Sequence, residues 1–176
     1  VGVMVSLAGD ELLRVAVILG TTDAQLTIAL GLFGFVAAAP ALVAPAIGHY
    51  IDQFHHRPRL VFNAIAGSGL VCTLALWSLW GAEKAQGFIY PIIFLIELGA
   101  MAAAIAWQSY VAEFAPRGSD EAKRIVANTS LILAVGPILG PLTVTVLASE
   151  VSLRALVFGD TFSYVATILL MQPSLK

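Results

Sequence analysis

The chain has 176 residues, 59% of them hydrophobic and only 11% charged, and a mean hydropathy of +0.91. A soluble domain is about 25% charged, so a water-facing surface cannot be covered here, which excludes a soluble one-domain enzyme, and disorder needs low hydrophobicity and high net charge. The formal net charge of −2 removes the electrostatic case for nucleic acid, and the lone Cys72 excludes an internal disulfide framework or a cysteine zinc cluster. The composition is that of a membrane protein.

A helix crossing a hydrocarbon core of about 30 Å needs about 20 apolar residues. By that measure the sequence predicts an all-α membrane protein of six transmembrane helices in a single domain, at about 1–19, 25–48, 60–80, 88–110, 125–148 and 155–172. Span one carries Asp10, Glu11 and Arg14. It lacks the basic leader and unbroken apolar core of a signal peptide, and a start at Val1 without Met is expected of a fragment or a processed chain. Spans two, three and five are free of Asp, Glu, Lys and Arg. Span four is interrupted by Glu97 near its midpoint, and span six by Asp160, which the boundaries place toward the outer end. Span two contains Pro40 and Pro45, and span five Pro137 and Pro141. With a deep charge in spans one and four, these paired prolines fit two three-helix repeats, the pattern of transporters built on internal symmetry.

The basic residues orient the bundle. Arg57, Arg59, Arg117, Lys123, Arg124 and Lys176 fall in the loops of one side, against Lys84 and Arg154 on the other. Both termini are therefore expected on the cytoplasmic face. The loop around 111–124 is charged and is expected to carry a short surface helix.

A central Asp, Lys or Arg in a membrane helix costs roughly +2.5 to +3.5 kcal/mol on insertion scales, so its position carries information. At about 100° per residue, Asp10 and Arg14 project about 40° apart, with Glu11 about 60° beyond Arg14, in favourable i,i+3 and i,i+4 spacings. One reading is an intrahelical ion pair that makes Arg14 tolerable. Against it, Asp10, Glu11 and Glu97 outnumber the single base, and full ionisation would leave uncompensated negative charge in the membrane. At least one of these acids is expected to bind and release a proton, Glu97 first. Gln108 and Asn128 are weaker candidates for substrate contact.

The turn after span two reads Gly48-His-Tyr-Ile-Asp52-Gln-Phe-His-His-Arg57-Pro-Arg59. It resembles the loop signature of the major facilitator superfamily, G-x-L-A-D-R-x-G-R-[KR]-x-[KR], found between that family's second and third helices. Gly48, Asp52, Arg57 and Arg59 match in type and spacing, whereas Tyr50, Gln53, His55 and His56 depart from it. A second stretch, Ala106-Trp-Gln-Ser-Tyr-Val-Ala-Glu-Phe-Ala-Pro116-Arg followed by Gly136-Pro137-Ile-Leu-Gly140-Pro141, is similar to the drug- and siderophore-exporter branch. There the fifth helix carries G-P-x-x-G-G, and Pro141 stands here where a Gly is usual. The Arg common in the fourth helix of proton-driven exporters has no counterpart.

The resemblance implies one six-helix half of a transporter fold, in a cell membrane (a bacterial inner membrane for this branch), coupled to protons and exporting small amphipathic molecules. Gly48, Asp52, Arg57 and Arg59 would form a cytoplasmic latch, and Gly136, Pro137 and Gly140 a kinked seam. Asp10, Glu11, Arg14, Glu97, Gln108 and Asn128 would serve substrate or proton coupling. The implied partners are the small-molecule substrate, the proton, the bilayer and either a carboxy-terminal half or a second copy. The rival is a stand-alone six-helix protein, acting as a homodimeric transporter or a scaffold. No enzyme, metal or cofactor is expected, because the sequence has no P-loop, H-E-x-x-H or G-x-S-x-G, and Gly67-Ser-Gly69 reads as close helix packing.

Overall fold

The computed structural model describes residues 26–54, 56–80, 86–114, 118–121, 123–128, 130, 131, 135, 142, 146 and 151–171. Every regular element among them is a helix: α1 Leu26–Ala38, α2 Pro40–Asp52, α3 Pro58–Leu79, α4 Gln86–Phe114 and α5 Leu153–Met171. Three stretches are long and apolar enough to cross a membrane, Gly31–Gln53, Arg59–Leu79 and Gly87–Ser109, so the chain is a membrane-embedded helical protein. The surface agrees: Phe35, Leu42, Val71, Phe88, Phe162 and Leu169 are all exposed, an exterior suited to acyl chains.

The expected span 25–48 is found as α1 and α2 in tandem, and proline explains the junction. Pro40 has no N–H to donate to the preceding turn, but Ala39 keeps right-handed helical dihedrals (φ −56°, ψ −35°). Its N–H still reaches the Phe35 carbonyl at 2.8 Å, and Leu42 bonds back to Ala39 at 3.1 Å. The path therefore continues while the hydrogen-bond ladder breaks. Pro45 removes a second donor one turn later. The helix opened by Pro58 at its first position matches the expected 60–80 closely. The expected 88–110 is longer in the structure: the 29 residues of α4 extend about 43 Å at 1.5 Å per residue, more than a hydrocarbon core, so its end stands clear of the acyl region.

Side-chain contacts fix the helix directions. Along α3 and α5, Trp77 meets Phe158, Thr73 meets Thr161, and Gly69 meets Tyr164. The α3 number falls as the α5 number rises, so these helices are antiparallel. Along α2 and α4, Gly48 faces Ile105 and Asp52 faces Ser109; both numbers rise, so these helices are parallel. One apolar cluster, Leu76, Ile93, Ile96, Leu156 and Val157, joins α3, α4 and α5 toward the Leu79 end. Another, Ile51, Phe62 and Ala106, joins α2, α3 and α4 toward the Pro58 end. α4 therefore runs antiparallel to α3, and Phe114 and Leu153 lie at opposite ends of the bundle.

In lipid, helix association rests on van der Waals fit and small residues, because acyl chains are as apolar as leucine. Gly69 supplies that fit. A Cβ built on it would lie 2.6 and 2.7 Å from the Cζ and Cδ1 atoms of the Tyr164 ring, and Tyr164 is itself buried. At Gly67 a Cβ would meet nothing within 4 Å. The close packing expected of Gly67-Ser-Gly69 is therefore the work of Gly69. Gly69→Ala should destabilise the protein by about 1–3 kcal/mol through overpacking, whereas Gly67→Ala should be neutral. Thermal unfolding of the two variants in detergent decides this, and equal transition temperatures would refute the seat.

Candidate functional site

The apolar faces of α3, α4 and α5 enclose a group of polar side chains. Buried polar residues among the described ones are Thr73, Glu97, Asp160, Thr161 and Ser163. Their helical phases explain the grouping. Leu156, Val157, Asp160, Thr161 and Tyr164 recur at i, i+1, i+4, i+5 and i+8, one face of a helix, and all are buried. On α4, Ile93, Ile96 and Glu97 share one face in the same way. Because Ile96 packs with Leu156 and Val157, Glu97 is carried to the same junction of α3, α4 and α5 as Asp160.

The hydroxyl protons can be followed one by one. Thr73 Oγ1 donates to its own helix, at 3.1 Å from the carbonyls of both Gly69 and Leu70. Thr161 Oγ1 donates across the interface to Thr73 Oγ1 at 3.4 Å. Ser163 Oγ lies 2.7 Å from the Asp160 carbonyl and 2.8 Å from Asp160 Oδ1, so one proton serves two acceptors. Asp160 Oδ2 is buried with no hydrogen-bond partner among the described residues. Thr73 sits about 10 Å from the Leu79 end of α3 and Asp160 about 10 Å from the Leu153 end of α5, at 1.5 Å per residue, the same depth. Toward that end the seam is closed by the Trp77–Phe158 ring pair at 5.3 Å and by Arg154, whose guanidinium lies 4.7 Å over the Trp77 ring.

Of the residues expected to carry substrate or protons, Glu97 is buried at 7% exposure, Gln108 is exposed on α4, and Asn128 is exposed in the helical residues 123–128. Asp10, Glu11 and Arg14, and likewise Gly136, Pro137 and Gly140, lie outside the described residues. Asp160 lies in α5, nearer its Leu153 end than its Met171 end, and it is wholly buried. Thr73, Thr161 and Ser163 were not among the expected residues. The signal that finds Thr161 and Ser163 is their place beside Asp160 on the buried side of α5; Thr73, on α3, is marked only by its contact with Thr161.

The four loop-motif residues gather at the other end of the bundle. Asp52 closes α2 and accepts from Ser109 Oγ at 3.3 Å. Arg57 precedes Pro58, and its backbone carbonyl accepts from Leu60 and Val61; Arg59 stands in the first turn of α3. An acid at a helix C-terminus and bases at a helix N-terminus both oppose the helix dipole, so helix stability does not explain these charges. At Gly48 a Cβ would lie 3.7 Å from Ile105 Cγ2, an ordinary contact; no close backbone approach requires glycine there.

Compared with family models, curated proteins and solved structures, the chain finds no match.

The Ser163 hydroxyl is the described donor to Asp160, and removing it strips a buried carboxyl oxygen. Ser163→Ala should therefore cost about 1–3 kcal/mol. Ser78, whose hydroxyl bonds the carbonyl of Ala75 at an exposed site, should lose no more than about 0.5 kcal/mol as Ser78→Ala. Unfolding in detergent with increasing denaturant compares them, and a Ser163→Ala curve that overlays Ser78→Ala contradicts the accounting.

Proposed function

We propose that the chain forms the amino-terminal, six-helix half of a secondary transporter of the major facilitator type, exporting small amphipathic molecules in exchange for protons. The observation that carries this reading is the buried group of Glu97, Asp160, Thr73, Thr161 and Ser163 in a protein whose exterior is apolar. Ionisable residues inside a membrane bundle are expensive and are kept where a path or a proton relay uses them. A purely structural bundle would fill the same volume with leucine.

Two further features support it. The Gly48–Arg59 turn carries the superfamily's charge spacing at the end of the helix pair where that loop belongs, and its Asp52 is engaged by α4. Phe114 and Leu153 lie at opposite ends of the bundle, the placement that a crossing by 125–148 requires. In this reading the basic loops face the cytoplasm, and Pro40, Pro45, Pro137 and Pro141 give spans two and five the broken backbone that moving transporter helices tolerate.

The protein produced from its whole reading frame, reconstituted in proteoliposomes loaded with a fluorescent lipophilic cation, tests this reading. A proton gradient should drive dye movement, and Glu97→Gln should lower its rate at least tenfold, equivalent to about 1.4 kcal/mol. Dye movement no faster than in protein-free liposomes, under gradients of either sign, would refute the proposal. A stop codon directly after Lys176 would replace the half-transporter with the homodimer.

A further inference from the structure

We propose that Asp160 is held in the closed bundle as a neutral carboxylic acid, which makes the α3–α5 seam a binding site for one exchangeable proton. This deepens the transport reading by naming a residue that carries its proton, and it rests on that reading only for its purpose.

The two carboxyl oxygens of Asp160 stand in different surroundings. Oδ1 lies 2.8 Å from the Ser163 hydroxyl, which donates to it. Oδ2 is buried and has no hydrogen-bond partner among the described residues, and the side chain as a whole is shut off from solvent. Taking an ionised carboxylate out of water without a partner costs far more than burying a neutral hydroxyl, and such a group neutralises instead. The asymmetry fits the neutral form atom by atom: Oδ1, accepting from Ser163, is the carbonyl oxygen, and Oδ2 is the hydroxyl.

The neighbouring donors are already committed. Thr161 gives its hydrogen to Thr73, Thr73 gives its own to the carbonyls of Gly69 and Leu70, and the Ser163 hydrogen serves the Asp160 carbonyl and Oδ1. No described positive charge takes their place. On α5, the Arg154 guanidinium lies over the Trp77 ring, and Tyr164 is seated on Gly69. On α3, Arg59 stands in the first turn, at the far end from Thr73, and Cys72 packs on the apolar cluster. On α4, Tyr90 lies near the beginning. Glu97 is buried at the same junction and has an interaction of its own; as an acid it offers Asp160 no positive charge. A hydrogen on Oδ2 is what remains to discharge the carboxyl.

Loading forms one O–H bond, on Oδ2, with a proton drawn from water. Release breaks that bond, returns the proton to water and leaves the electron pair on the carboxylate. The ionised form needs water at Oδ2, and the closed seam denies it; toward the Leu79 end of α3 the Trp77–Phe158 ring pair bars the way. Proton release is therefore tied to a parting of the helices, which is the link that proton-driven movement requires.

Infrared difference spectroscopy of the protein in lipid nanodiscs, between light and heavy water at neutral pH, reads the site without any substrate. The wild type should show the carbonyl stretch of a protonated carboxyl, shifted down on deuteration. Carbon-13 aspartate should move this band and carbon-13 glutamate should not. Asp160→Asn should abolish it, whereas Asp120→Asn, at an exposed acid, should leave it. In Asp160→Glu the band should become sensitive to the glutamate label instead. No such band in the wild type, a band moved by the glutamate label there, or one that survives Asp160→Asn overturns the proposal. So does a band present in choline buffer and lost in sodium buffer at the same pH, since the carboxylate would then hold a metal cation. The band without gradient-driven dye movement would sink the transporter reading and keep the site; dye movement without the band would do the reverse.

Discussion

A polar atom sealed inside hydrocarbon has to find its partner within the protein, and the contact between α3 and α5 is where this chain meets that demand. The Tyr164 ring lies on the bare backbone of Gly69. That seat brings the helices close enough for Thr161 to reach Thr73 and for Asp160 to disappear from the surface. Without the seat, Asp160 and the two threonines would lose that enclosure. The apolar cluster of Leu76, Ile93, Ile96, Leu156 and Val157 then draws Glu97 in from α4. Packing comes first, and the juxtaposition of two acids follows from it.

The two ends of the bundle are built differently. Toward the Leu79 end of α3, rings close the seam: Trp77 with Phe158, and Phe158 edge-on to Phe162 at 5.2 Å, capped by Arg154. Toward the Pro58 end, polar contacts join α2 to α4 through Asp52 and Ser109. Charges there are set against the helix dipoles. α4 reaches both, and Ser109 near its end donates to Asp52 at the end of α2.

Much of the fold could be read from the residues, because membrane spans are written as uninterrupted apolar runs. The expected spans 25–48, 60–80 and 88–110 coincide with α1–α2, α3 and α4, and Pro40 marks the break at Ala39. Glu97 stood out because it is a charge within such a run. The enclosure of Asp160 did not. Asp160 was placed by the ends of its run, which give depth along a helix but say nothing of which face meets which neighbour. Thr73, Thr161 and Ser163 carry no charge and are common in membrane helices, so hydropathy passes over them; Thr161 and Ser163 are marked only by their place beside Asp160 on α5, and Thr73 by its contact across the helices.

The central claim is that Thr73 and Thr161 face each other across an antiparallel, lipid-excluded seam, and cysteine crosslinking addresses it most directly. In a Cys72→Ala background, Thr73→Cys with Thr161→Cys should form a disulfide on mild oxidation, holding together the fragments made by cleaving the chain between them. Val71→Cys with Phe162→Cys, on outward faces of the same helices, should not. A crosslink in the second pair with none in the first would place the polar stripe toward lipid and contradict the account.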